Sequence, residues 1–130
     1  NNNSISNYAN EIISKFNVMI EGDSSKASSL SGGNLQKFVI GREILSKPEL
    51  LIISHPTWGI DAGATQYIRN ELIKLSNQGT SIIIISQDLD ELIQLSNRIA
   101  VIYNGELSNS LETDSLDIKK IGLLMGGQSE

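Results

Sequence analysis

The chain has no cysteine and a single histidine among its 130 residues. Disulfides, thiolate nucleophiles and cysteine-type zinc sites are thereby excluded, and one histidine cannot build a multi-histidine metal centre. Positive charge is scarce as well: 10 Lys and Arg stand against 15 Asp and Glu, a formal net charge of −5. That balance lacks the basic footprint of a duplex-DNA binder, so no nucleic-acid partner is expected. The longest apolar runs, residues 50–53 and 82–85, fall far short of the ~20 residues that a membrane-crossing helix needs. The opening NNNSISNYAN has neither the basic start nor the apolar stretch of a secretory leader, and a cytosolic location is expected. Repeats of the kind that mark solenoids are absent too.

What is present suffices for a core. Hydrophobic residues make up 39%, and a chain of this size buries roughly two-thirds of the surface its unfolded form exposes. The length leaves room for one compact domain rather than two independent ones. Residues 8–19 space Ile12, Ile13 and Phe16 as an amphipathic helix does, and the small, polar EGDSSKASS of residues 21–29 predicts a loop. Apolar positions in residues 34–46 cover most of a helical circumference, predicting a largely buried helix with Gly32 and Gly33 in its first turn and Pro48 beyond its end. The uninterrupted apolar runs 50–53 and 82–85 predict strands covered on both faces. Between them, residues 62–77 place Ala64, Ile68, Leu72 and Leu75 on one stripe, with Arg69 and Lys74 outward, predicting a surface helix against a sheet. Asp88 and Glu91 form a capping box for a further helix, which explains the acidic cluster Asp88, Asp90 and Glu91 without a metal. Residues 99–103 predict a third strand, Asn104-Gly105 a hairpin turn, and residues 114–125 a last short helix. Strands alternating with helices argue for parallel βαβ units, an α/β fold.

Chemistry concentrates in Leu30-Ser-Gly-Gly-Asn-Leu-Gln-Lys37. A hydroxyl and two bare backbones stand at a helix start, where free N–H groups and the helix dipole favour an anion, phosphate above all. An ordinary serine cap with flexible glycines accounts for the same residues equally well.

The wider string resembles the ATPase subunits of ABC transporters. LSGGN-x-QK is followed by an apolar strand leading into Pro56-Thr57-x-Gly-Ile-Asp61-x-Gly-Ala, then by Ile-Ser86-x-Asp-Leu-x-Glu-Leu. The variant is most similar to importers of simple sugars and nucleosides. The likeness is good over residues 28–107; residues 8–19 look like the end of the helical subdomain, and IGLLMGG is similar to the C-terminus of nucleoside-type subunits. The resemblance implies the C-terminal part of a P-loop NTPase (RecA-like) nucleotide-binding domain: residues 1–30 the end of a helical subdomain, 31–110 the signature helix and core, and 111–130 a C-terminal tail. It further implies that Ser31, Gly32 and Gly33 clamp the γ-phosphate of ATP held by an opposing domain, with Asn34, Gln36 and Lys37 in support. Asp61 would lie on the loop that touches that partner, while capping the helix that begins at Ala62. Leu35 replaces the family's glutamine and is expected to be a core contact.

Other departures fall on catalytic positions. Ser54 and His55 stand where the family ends its Walker B strand in Asp-Glu, the pair that orders Mg²⁺ and polarises the attacking water. Gln87 stands at the switch histidine. A serine brings no carboxylate charge to Mg²⁺, and glutamine adds no positive charge at a phosphate, so a degenerate half-site is expected. Nowhere does G-x-x-x-x-G-K-[ST] occur, and the expectation is a C-terminal half-domain that hydrolyses nothing alone and binds ATP and Mg²⁺ only in a complete assembly. The implied partners are another nucleotide-binding domain and membrane permease subunits, with the chain peripheral at the inner face of the membrane. An uncovered sheet is further expected to make the isolated chain self-associate. Trp58 is expected to pack at the domain surface. A soluble ABC ATPase of DNA repair or translation, and a non-catalytic interaction module of the same shape, are the alternative readings.

Overall fold

Helix α1 spans Asn2–Lys15 in a computed structural model that describes residues 2–21 and 25–128. The middle of the loop expected at 21–29 lies outside those residues. Although apolar spacing puts the helix at 8–19, it begins earlier and stops at Lys15. Asn17 takes φ 48°, and the Val18 N–H donates to the Ile13 carbonyl at 3.0 Å, the closing bond of a Schellman end. Ile12, Phe16 and Val18 are buried.

Helix α2 (Gly32–Leu45) starts at its cap Ser31 and buries Lys37, Ile40, Gly41 and Ile44 on one face. Gly41 admits α1's neighbour Phe16, whose ring lies 2.6 Å from where a Cβ would stand. Burial stops at that face: Leu35 is 38% exposed and Val39 37%. Leu35 is therefore not the core contact expected, because its position one residue after Asn34 turns it away from the Lys37–Ile40–Ile44 stripe.

Strands β1 (Leu50–Ser54) and β2 (Ser81–Ile85) run parallel, in register from Leu50↔Ser81 to Ser54↔Ile85. Between them lies α3 (Ala62–Asn77), with Ile68, Leu72 and Leu75 buried, as their stripe predicts. Coverage of both sheet faces is not observed. Leu51 and Ile53 are buried, whereas Leu50, Ile52, Ile83 and Ile85 are each about half exposed or more. Successive side chains of a strand point to opposite faces, and among the described residues only one face of this pair is covered.

The run 99–103 does not form a third parallel strand. Its ends join two separate antiparallel pairs, β3 (Arg98–Ile99) with β6 (Leu111–Glu112) and β4 (Ile102–Tyr103) with β5 (Glu106–Leu107). Asn104 and Gly105, at φ 49° and 83°, make the turn that sends the chain straight back. Arg98, its side chain more than half exposed, pairs with Glu112. Before these strands comes α4 (Leu89–Leu95), capped by Asp88, and after them α5 (Ile118–Met125), capped by Asp117. Glu91 is 1% exposed, so the acid of the expected capping box lies inside. Where the length suggests one compact domain, the chain divides into two compact units, residues 1–87 and 88–130. Among the described residues no helix is long and apolar enough to cross a membrane.

Candidate functional site

Every site residue singled out in the sequence belongs to the first unit, residues 1–87. At the start of α2, the Ser31 backbone is extended (φ −62°, ψ 156°), and its Oγ accepts from the Asn34 N–H at 3.4 Å and from Asn34 Nδ2 at 3.0 Å. A hydroxyl that accepts twice keeps its own proton to donate. Asn34 Oδ1 in turn accepts from the Met19 N–H at 2.8 Å, tying the helix start to the segment that follows α1.

The two glycines do different things. A Cβ on Gly32 would meet nothing within 4 Å, whereas one on Gly33 would lie 2.8 Å from the Gly59 carbonyl oxygen. Gly33 thus lets the loop after β1 press against α2, while Gly32 leaves the end of the helix bare. Both Ser31 and Gly32 are exposed, and a 14-residue helix ending in free N–H groups on an open surface suits an anion.

The loop of residues 55–61 is held from both sides. The His55 N–H donates to the Ile85 carbonyl at 2.8 Å, which extends the β1–β2 ladder by one bond. The His55 carbonyl accepts from the Trp58 N–H at 3.2 Å and from Gln36 Nε2 at 3.0 Å. Pro56, fully buried, occupies the second position of the resulting turn, where its fixed φ is favourable. The His55 and Trp58 rings meet edge to face, centroids 5.3 Å apart at 79°. Trp58 is nevertheless 73% exposed, so it lies at the surface, as expected, with the His55 ring against it.

Asp61 ends the loop in two roles at once. Its Oδ1 accepts from the Ala64 N–H at 2.9 Å, capping α3, and its Oδ2 lies 2.9 Å from Lys37 Nζ. The Lys37 ammonium, then the Ala64 N–H, hold the Asp61 carboxyl down at about 2, from an ordinary 3.8. The α2 start and the loop are therefore joined by three links: Gly33 against Gly59, Gln36 to His55, and Lys37 to Asp61. The sequence places Lys37 in support of the helix start without naming Asp61 as its partner. A signal existed, since Lys37 shares the spacing of Ile40, Gly41 and Ile44, and a lysine on a buried stripe needs an acid for its ammonium.

Ser54 ends β1 and Gln87 follows β2 by two residues, so both stand at the carboxyl ends of neighbouring parallel strands, the usual place for ligands in an open α/β sheet. Both are exposed. Among the described residues Gln87 has no hydrogen bond to the α2 start, and no group of three His, Asp or Glu side chains is poised for a metal. A neutral hydroxyl and an imidazole set at φ 48° do not make the oxygen donor set that hard Mg²⁺ takes; the strand ends do not fit a resident Mg²⁺. The start of α2 does fit a phosphate.

No family model matches the chain. It is 42% identical over 125 residues to the nucleoside import ATP-binding protein NupA of Lactococcus lactis, covering 96% of this chain and 25% of that protein. To the ribose import ATP-binding protein RbsA of Halalkalibacterium halodurans it is 42% identical over 111 residues, covering 85% of this chain and 22% of that one. The chain thus spans about a quarter of the length of these curated relatives. A solved structure described as an ATP-binding subunit of an ABC transporter superposes with a TM-score of 0.75 at 20% identity, over 99% of this chain and 52% of that one. By sequence the chain is homologous to about a quarter of the length of proteins described as ATP-binding proteins of nucleoside and sugar import, and its fold is that of part of an ATP-binding cassette.

Proposed function

We propose that the chain is part of the ATP-binding subunit of an ABC importer for a simple sugar or nucleoside, and that it offers the start of α2 to ATP bound on a second nucleotide-binding domain. The observation that carries this reading is the bare helix end: Ser31 with its proton free of the cap, and Gly32 with nothing within 4 Å of a Cβ. Ser31, Gly32 and the first-turn N–H groups bind the terminal phosphate; Gly33, Asn34, Gln36 and Asp61 hold that surface in shape. ATP supplies the anhydride bond that is broken, and Mg²⁺ comes with it from the opposing side. The strand-end position formed by Ser54, His55 and Gln87 is degenerate and turns nothing over. In this assignment residues 1–30 close a helical subdomain, residues 31–110 carry the signature helix and part of the core, and residues 111–130 form a tail. Permease subunits hold the assembly at the inner face of the membrane.

The test is made on the assembled importer. Ser31→Ala removes one phosphate donor and is expected to lower ATP turnover at least tenfold, the usual scale for a donor to developing charge, with ATP binding within about twofold. Ser54→Ala, at the exposed end of β1, is expected to leave turnover within about twofold. Unchanged turnover in Ser31→Ala would refute the phosphate role, and loss of turnover in Ser54→Ala would refute the degenerate site.

A further inference from the structure

Asn34, the residue after the two glycines, does something that a helix cap alone does not. A side-chain amide carries an acceptor at one end and donors at the other, and the hydrogen bonds around it settle which end faces which neighbour. At Asn34 the Met19 N–H settles it. A backbone N–H can only donate, so Oδ1 turns toward it at 2.8 Å and the amide nitrogen is left facing Ser31, where Nδ2 donates to Oγ at 3.0 Å. The Asn34 backbone N–H reaches the same oxygen at 3.4 Å.

Both acceptor positions of the Ser31 hydroxyl are thereby engaged. Its proton, which otherwise swings among roughly three staggered directions, keeps the one that neither donor occupies, and Ser31 is exposed. The opposite sense of the amide would make a different site. With Oδ1 facing Ser31, the hydroxyl would donate to it and hold nothing for an incoming oxygen. The Met19 N–H, 15 positions before Asn34, therefore decides whether Ser31 donates outward or inward. Met19 itself follows directly on the end of α1: its neighbour Val18 is buried and bonded back to the Ile13 carbonyl.

We infer that Asn34 is a positioning residue whose amide, set by the Met19 N–H, aims the Ser31 proton at the phosphate. This rests on the phosphate role proposed for Ser31 and adds to it what makes an outward donor of a capping hydroxyl. It also makes the grip of the α2 start depend on where the segment after α1 sits, since withdrawing the Met19 N–H frees the amide to turn over.

The experiment is a pair of double-mutant cycles on ATP turnover by the assembled importer, each change being made with Ser31 present and again in Ser31→Ala. Asn34→Ala releases the hydroxyl rotor and is expected to lower turnover about threefold, with the KM for ATP within about twofold. Met19→Pro removes the N–H and keeps Asn34, so that Oδ1 competes for the hydroxyl proton. Against Met19→Ala, which keeps the N–H, it is expected to lower turnover by about threefold to tenfold, the upper figure being the loss of the donor itself. In the Ser31→Ala background neither change has a proton to misdirect, and neither is expected to lower turnover further. Falls of equal size in both backgrounds make Asn34 a brace for the helix start and overturn the positioning role. Unchanged turnover in both Asn34→Ala and Met19→Pro overturns it as well, and a loss in Ser31→Ala then still supports the phosphate role by itself. Unchanged turnover in Ser31→Ala overturns both.

Discussion

Two adjacent glycines with different surroundings give a sharp contrast at the scale of single residues. Gly33→Ala drives a Cβ to within 2.8 Å of the Gly59 carbonyl, and backbone cannot give way as a side-chain end does; a loss of about 1–3 kcal/mol in denaturant unfolding is expected. Gly32→Ala meets open space and is expected to change stability by less than about 1 kcal/mol, while the new methyl group obstructs phosphate and lowers ATP-dependent association. Asp61 adds a pH dependence. Its carboxyl is depressed from 3.8 to about 2 by Lys37 first and the Ala64 N–H second, so its ionised form is favoured in the folded state. The stability it contributes is complete above pH 3.8 and is lost as the pH falls through about 2. Thermal melts between these limits should show a fall in wild type that is shallower in Asp61→Asn and weaker in high salt, because the carboxylate is exposed and screened.

Packing of α1 against α2 turns on Gly41, where the Phe16 ring occupies the space of a Cβ at 2.6 Å. Gly41→Ala is expected to cost about 1–3 kcal/mol, and Phe16→Leu should recover part of that loss in a double-mutant cycle measured by chemical denaturation, since the two sites touch. At this scale the sequence was most legible where periodicity is long. The stripe Ala64, Ile68, Leu72 and Leu75 places α3 at Ala62–Asn77 to the residue, and Asn104-Gly105 announces a hairpin that forms. Legibility failed where an end depends on one unusual φ. Asn17 closes α1 as Gly79 and Gly127, at φ 103° and 77°, close α3 and α5; glycine stands out in a sequence, but an asparagine in a polar run does not. The capping of α2 by Ser31 was readable from residue types alone, whereas the links of Gln36 to His55 and Lys37 to Asp61 join residues 19 and 24 positions apart, beyond any local pattern.

For the whole molecule, the uninterrupted apolar runs of β1 and β2 were correctly seen as strands and wrongly as covered twice. A run of aliphatic residues states that both faces of a parallel strand are meant to be buried; it does not state what chain buries them. Leu50, Ile52, Ile83 and Ile85 therefore predict that the 130 residues taken alone self-associate. Light scattering at rising concentration should detect growth in mass, and Ile52→Thr with Ile83→Thr should reduce it while leaving the melting temperature within a few degrees, since both side chains are already about half in water or more. A strictly monomeric species at high concentration would contradict this. The same strand pair bears on survival inside a cell: a nascent stretch that shows four aliphatic side chains in a row of paired backbone is bait for chaperones and proteases, and its half-life is set by how soon something is folded over them.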